Sequence, residues 1–365
     1  MTVKFRSQIQ ALTPYKPGKP IEDVKKEYGI SKVFKMASNE NPLGCSPLVK
    51  EAINKSLDYL NLYPDGNATK LKYAIATKLG IKPSQVQPSS GSDEMVDQIA
   101  KTFINEGDEV ILADVTFPRY ITTTTMMGGI PVVVPLKNFT YDLDAMKRSI
   151  TDKTRLIWLC NPNNPTGTMF SEKALLDFLD SVPSHVIIVY DEAYNEYVTS
   201  PEYPHNSVSL LEKYPNIIIL RTFSKIYGLA ALRIGYTLAS EHILSNIDKI
   251  RSPFNVNSLA QTAAVAALND DEFLKDSYAC NKEGKAYLCD SFDSMGITYA
   301  PSEANHIFFD SGKECTEVFT ELQKRGVIVR PMYNTYIRVS IGTMEENKFF
   351  ISQLKEVLEL NVATA

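Results

Sequence analysis

The chain has little of what a disulfide scaffold, a metal protein or a nucleic-acid binder needs. Its five cysteines (Cys45, Cys160, Cys280, Cys289 and Cys315) are odd in number and show no CxxC spacing, which argues against a disulfide framework or a zinc knuckle and fits a reducing cytoplasm. The four histidines (His185, His205, His242 and His306) are scattered without metal-ligand spacing, so no metal site is expected. Positive charge is short: 38 Lys plus Arg stand against 43 Asp plus Glu, a net charge of −5, and no basic field is available to recruit nucleic acid. No apolar run approaches the roughly 20 residues that span a bilayer, and the first residues, MTVKFRSQIQALTPYKPGKP, have no apolar core. The expectation is a protein neither exported nor embedded in a membrane. A GxxxxGK[ST] loop and a GxGxxG turn are both missing, which sets aside P-loop NTPases and dinucleotide dehydrogenases.

What is present is length and alternation. With 365 residues and 44% hydrophobic content, the chain can build a large domain and a smaller one. Residues 1–35, with TPYKPGKP, read as an extended arm leading into a short helix at Ile21–Tyr28. Ser46-Pro47 starts a helix with proline in its first position, and Thr69–Leu79 reads as another. From residue 86, strands and helices alternate: strands at Val86–Ser89, Glu109–Ala113, Ile130–Val134, Arg155–Cys160, His185–Val189, Ile217–Leu220 and Tyr236–Ala239, with helices at Glu94–Ile104 and near Asp144–Ile150. Repeated units of this kind predict an α/β fold, a mostly parallel sheet covered by helices on both faces. The large domain is placed at 36–252 and a smaller one at 253–365, with a long helix from Leu259 and short strands near His306–Phe309, Gly326–Val329 and Tyr336–Ile341.

The polar clusters all follow strands, where open α/β sheets collect ligands. The clearest is Arg221-Thr222-Phe223-Ser224-Lys225, which ends an apolar strand and is followed by a second cation, Arg233. A desolvated lysine can bond covalently to a carbonyl cofactor. For an aldehyde that also carries a phosphate and a pyridine ring, each chemical demand finds a residue. Lys225 supplies the amine, and Asp191 the carboxylate that keeps the ring nitrogen protonated. Asn164 and Tyr194 supply neutral donors to the ring oxygen. Gly91, Ser92, Asp93, Thr222, Ser224 and Arg233 supply helix amides, hydroxyls and a cation for the phosphate. Phe117 covers a ring face. Arg338 projects from the last strand on the face opposite Ile337, Val339 and Ile341; it serves either a substrate carboxylate or a surface ion pair. Taken singly, each has a plainer reading as a turn, a helix cap, a core aromatic or a solvated lysine. Their conjunction carries the signal.

Four stretches in this order, NPNNPTG at 161–167, DEAYNEY at 191–197, TFSKIYGLAALRIG at 222–235 and YIRVSIGT at 336–343, resemble the fold-type-I, class II-type aminotransferases that depend on pyridoxal 5'-phosphate. Within them, LTPY at 12–15, NENPLG at 39–44, YPDG at 63–66 and GVIVRPM at 326–332 are most similar to the histidinol-phosphate aminotransferase branch. The resemblance covers nearly the whole chain. It implies a seven-stranded sheet in the large domain and a homodimer in which Tyr63 reaches the phosphate of the other subunit's cofactor. It implies that Tyr15, Tyr120 and Arg330 hold the distal end of the substrate, with Asn164 and Arg338 closer to the reacting end. The activity it implies is exchange of an amino group between histidinol phosphate and 2-oxoglutarate, with Lys225, Asp191 and Tyr194 catalytic. Where the family commonly has a tyrosine, this chain has Phe117, which keeps stacking and loses a hydroxyl contact. The alternatives are an aromatic or dual-specificity aminotransferase, a threonine-phosphate decarboxylase on the same scaffold, and a non-catalytic cofactor-binding regulator. Regulators of that last kind usually add a helix-turn-helix module, and residues 1–35 are too short and proline-rich to be one.

Overall fold

The computed structural model describes residues 3–14 and 18–359. Val86–Ser89 (β1), Glu109–Ala113 (β2), Ile130–Val134 (β3), Thr154–Cys160 (β4), Ile187–Asp191 (β5), Ile217–Thr222 (β6) and Gly235–Ala239 (β7) form one seven-stranded sheet in the order β1-β7-β6-β5-β4-β2-β3. Neighbours run parallel except at β7, which is antiparallel to both β1 and β6. The central strands β5 and β6 are buried along their whole length, which is why their sequences are near-continuous apolar runs instead of alternating ones.

Two boundaries differ from the sequence expectation in ways that matter for the site. Strand β5 begins two residues later than expected, because a turn closed by Val186 N–H on the Pro183 carbonyl at 3.0 Å occupies its first residues. The strand therefore runs on through Tyr190 to Asp191, whose register partners are Cys160 on β4 and Leu220 on β6. The helix after β1 also starts early, at Ser92 (α1, Ser92–Phe103), directly behind Gly91.

The helix expected from Leu259 onward is two helices, Ser258–Ala267 (α2) and Asp271–Met295 (α3). Asp270 breaks the run: its carboxylate accepts from the Phe273 N–H at 3.0 Å and caps α3. The buried alanines of α2 belong to the larger core. A second core gathers Met36, Leu288, Phe292, Ile307, Phe309, Phe350 and their neighbours. It lies against a small antiparallel sheet of His306–Asp310 (β8), Arg330–Tyr333 (β9) and Tyr336–Ser340 (β10), ordered β9-β10-β8. Ile337, Val339 and Ile341 enter that core, as alternation predicts, and Tyr336, Arg338 and Ser340 face the other way. The strand expected at Gly326–Val329 is only Val327–Ile328, and it pairs in parallel with Phe34–Lys35. The chain from Phe34 continues along the small sheet, with Met36 bonded to Ile328 and Ser340 at 2.8 Å each. Among the described residues, no helix is long and apolar enough to cross a membrane.

Candidate active site

Aligned carboxyl ends of β4, β5 and β6 open into a cavity of about 150 Å³. Its wall is made by Ser92, Asp93, Phe117, Cys160, Asn164, Asp191, Ala193, Tyr194, Thr222, Ser224, Lys225 and Arg233. Ten of these were expected from the sequence, and β-strand register is what assembles them from five separate stretches. Cys160 and Ala193 were not expected. Cys160 is the last residue of an apolar strand and Ala193 lies between two conspicuous polar residues, so only the register of β4 against β5 could have pointed to them.

Asp191 sits in the floor with 4% of its surface exposed. Burial pushes its carboxyl up to about 6, against two hydrogen bonds that favour the anion: Tyr120 Oη donates to Oδ2 at 2.6 Å and the Ala193 N–H donates to Oδ1 at 3.1 Å. Tyr120 corrects an expectation. Instead of facing a substrate it is fully buried, stacked on Trp158 with ring centroids 4.7 Å apart, and its hydroxyl is committed to Asp191. Behind Asp191, Glu192 is paired with Arg221 at 3.0 Å and accepts from Ser207 and Tyr203, a buried ion pair with its lone pairs satisfied.

Lys225 Nζ donates to the Ser38 carbonyl at 3.2 Å and lies 5.7 Å from the centre of the Tyr194 ring. Burial, with Arg338 as the next cause, lowers its ammonium to about 8. A neutral amine is therefore accessible near neutral pH. Arg338 Nη1 donates to Asn164 Oδ1 at 2.5 Å and Nη2 to the Ala37 carbonyl at 2.6 Å, which fixes the guanidinium plane beside the cavity. Arg330 stands directly opposite Arg338 in the β9–β10 register, so both residues lie on one face of the small sheet.

At the other end, Gly91 (φ 78°) turns the chain into α1, and the helix has no side-chain cap there. Its first residues, Ser92 and Asp93, line the cavity together with Thr222, Ser224 and Arg233. Arg233 Nη2 pairs with Asp93 at 3.2 Å, Nη1 reaches Ser224 Oγ at 3.5 Å, and a Cβ on Gly91 would lie 2.6 Å from Nη2. Glycine suits the angle, and any side chain here would displace the guanidinium. Phe117 closes one side, edge-on to Tyr120 at 5.5 Å. Tyr63 is not in this wall: 82% exposed, it stacks on Phe254 at 4.7 Å. Tyr15 lies outside the described residues.

The donor set fits a phosphorylated pyridine aldehyde: helix amides, two hydroxyls and an arginine at one end, an amine in the middle, a buried carboxylate at the other.

Residues 31–354 match the family model for aminotransferase class I and II. The chain is 50% identical over 97% of its length to a histidinol-phosphate aminotransferase of Caldicellulosiruptor saccharolyticus, covering 100% of that protein. It is 49% identical, over 97% of its length and 93% of the relative's, to that of Moorella thermoacetica. Among solved structures it resembles the histidinol-phosphate aminotransferase of Sinorhizobium meliloti in complex with pyridoxal-5'-phosphate, with a TM-score of 0.90, 28% identity and 99% of each chain covered.

Proposed function

Because the chain belongs to the class I and II aminotransferases, and within them to the histidinol-phosphate aminotransferases, we propose that its cavity binds pyridoxal 5'-phosphate and transfers the amino group of histidinol phosphate to 2-oxoglutarate. The products are imidazole-acetol phosphate and glutamate, a step of histidine biosynthesis, and the two substrates use the same site in turn. The observation that carries the reading is the convergence of Lys225, Asp191 and the α1 amino terminus with Arg233 on one cavity.

When bound, the cofactor supplies an electron-poor ring that takes up the electron pair left at the donor's Cα. Asp191 holds the proton on the ring nitrogen, and Tyr120 and the Ala193 amide keep that carboxylate anionic. Lys225, as a free amine, would take the proton from the donor's Cα and deliver it to C4′ of the cofactor. Asn164 and Tyr194 donate to the ring oxygen, Phe117 covers one ring face, and Gly91, Ser92, Asp93, Thr222, Ser224 and Arg233 anchor the phosphate. Arg338 and Arg330 bind the carboxylate of glutamate or 2-oxoglutarate, and the phosphate of histidinol phosphate in the other half-reaction.

The active form is a homodimer in the cytoplasm, with Tyr63 of each subunit reaching the other's cofactor phosphate. Exposed Leu57, Tyr59, Leu60, Leu62, Tyr63 and Phe254 support a buried subunit contact there. The chain divides into an arm to residue 35, a large unit 36–252 and a small unit from 253, with α2 of the last packed on the large core.

Paired assays of the cofactor-loaded protein test the reading: glutamate formation from 2-oxoglutarate with histidinol phosphate, and separately with phenylalanine and tyrosine. Histidinol phosphate is expected to win by a wide margin in kcat/KM. Equal or better turnover of the aromatic amino acids would replace the substrate assignment with a permissive one. A Lys225→Ala protein that still turned over amino acids would remove the catalytic assignment.

A further inference from the structure

Two donors of the site and one acceptor meet on the short segment Ala37–Asn39. Arg338 donates to the Ala37 carbonyl, Lys225 to the Ser38 carbonyl, and Asn39 Nδ2 to Tyr194 Oη at 3.0 Å. Asn39 is 1% exposed and held in a left-handed conformation (φ 56°) by bonds from its own N–H to Ser340 Oγ at 2.8 Å and from Asn305 Nδ2 to its carbonyl at 2.9 Å.

The hydrogen-bond polarity of its side chain follows from its neighbours. Ser340 Oγ accepts the Asn39 N–H, and its own proton goes to Asn39 Oδ1 at 3.0 Å. That places Nδ2 on the other side, where its two protons meet Tyr194 Oη and His306 Nδ1, each at 3.0 Å. His306 is fully buried, and burial with Arg338 and Lys225 nearby holds its imidazole well below its ordinary pKa, consistent with a neutral ring accepting at Nδ1. Tyr194 Oη, having accepted from Asn39, retains its own proton for an acceptor in the cavity.

We propose that Asn39 is a positioning residue, whose side-chain amide fixes Tyr194 as a hydrogen-bond donor toward the cavity. This rests on the reading that the cavity holds pyridoxal phosphate with its ring oxygen facing Tyr194. Because Asn39 is itself bonded to Ser340 and Asn305, the donor direction of Tyr194 is tied to the small sheet, which also carries Arg338.

The test is the pH midpoint of the visible absorbance of the cofactor-loaded protein. A donor to the ring oxygen stabilises the form in which that oxygen carries negative charge and so lowers the midpoint. The charged groups facing Tyr194 are Arg338, Lys225 and Asp191, with the Cys160 thiol and His306 also near; all are unchanged in the variants used. Asn39→Asp can only accept, so it draws the Tyr194 proton away from the cavity. The midpoint should rise by about one to two pH units, the worth of a charge-assisted hydrogen bond. Asn39→Gly, which suits the left-handed backbone, should raise it by less. In a Tyr194→Phe background most of the Asn39→Asp shift should vanish. An equal shift with and without the Tyr194 hydroxyl overturns the proposal, since it reports only through-space charge. So does an unmoved midpoint in Asn39→Gly, which also decides the matter if Asn39→Asp does not fold. Wild-type protein that gains no visible band with pyridoxal phosphate overturns the cofactor reading itself, a different result from a band indifferent to Asn39.

Discussion

Tyr120→Phe removes one oxygen from a fully buried ring whose packing on Trp158 is kept, so its effect should fall on Asp191 and on little else. The lost bond, 2.6 Å from Tyr120 Oη to Asp191 Oδ2, favours the carboxylate, and its absence raises a carboxyl already at about 6. A charge-assisted bond of ~1.5–3 kcal/mol, at 1.36 kcal/mol per unit, moves it to about 7–8. At pH 7 the ligand-free variant is then roughly half to nine-tenths protonated at Asp191, against about a tenth in the wild type. The cofactor's ring nitrogen needs the anion, so the apparent Kd for pyridoxal phosphate should rise roughly 2- to 10-fold at pH 7 and return nearly to the wild-type value at pH 9. Absorbance titration of the cofactor into ligand-free protein from pH 6 to 9 measures this directly. The reasoning is refuted if the ratio of the two Kd values is the same at pH 7 and pH 9.

Asp191→Asn should separate stability from function. The folded carboxyl, at about 6, lies above its unfolded value of about 3.9, so ionisation costs stability as pH rises through that window, by roughly 3 kcal/mol at pH 8. The ligand-free variant should melt higher than wild type at pH 8 and equally at pH 4, as differential scanning calorimetry will show, while transamination falls sharply. Arg338→Gln removes a charge that depresses Lys225; the amine should move from about 8 toward its ordinary value, and the rate of cofactor uptake by stopped-flow absorbance should drop at pH 7 and recover by pH 10. Gly91→Ala places a Cβ 2.6 Å from Arg233 Nη2 at a φ of 78°, so the guanidinium must leave its place. Affinity for pyridoxal phosphate should fall about tenfold with the catalytic groups intact.

The residues proposed for the chemistry were legible because each stands at or after the end of an apolar strand and each has a type the chemistry demands: Lys225 after Ile217–Thr222, Asp191 at the end of Ile187–Asp191, Asn164 after Thr154–Cys160. Sequence patterning also found the inward face of Tyr336–Ser340. What it misassigned were residues whose role depends on register between distant stretches. Tyr120 was expected, from the resemblance, at the distal end of the substrate; only its stacking on Trp158 of β4 shows that its hydroxyl ends on Asp191. Asn39 reads as a turn residue in NENPLG, and its contacts are to residues 155, 267 and 301 positions away, beyond any local signal. The break between α2 and α3 was missed for the opposite reason: helical periodicity continues across Asn269-Asp270, and a single capping carboxylate ends it.

The electrostatics of the site argue for its occupant independently of any relative. Asp191 is pushed up and Lys225 is pushed down. A buried carboxylate is unfavourable without a cation, and a buried ammonium without an anion. Each of these tensions is relieved by one feature of the proposed cofactor: a ring-nitrogen cation at Asp191 and a carbonyl carbon for the neutral amine of Lys225. A purely structural cavity would be expected to lower such costs by pairing the groups with one another, as Glu192 and Arg221 do a few residues away. The contrast between that satisfied ion pair and its strained neighbour Asp191 marks where binding free energy is released when cofactor and substrate arrive.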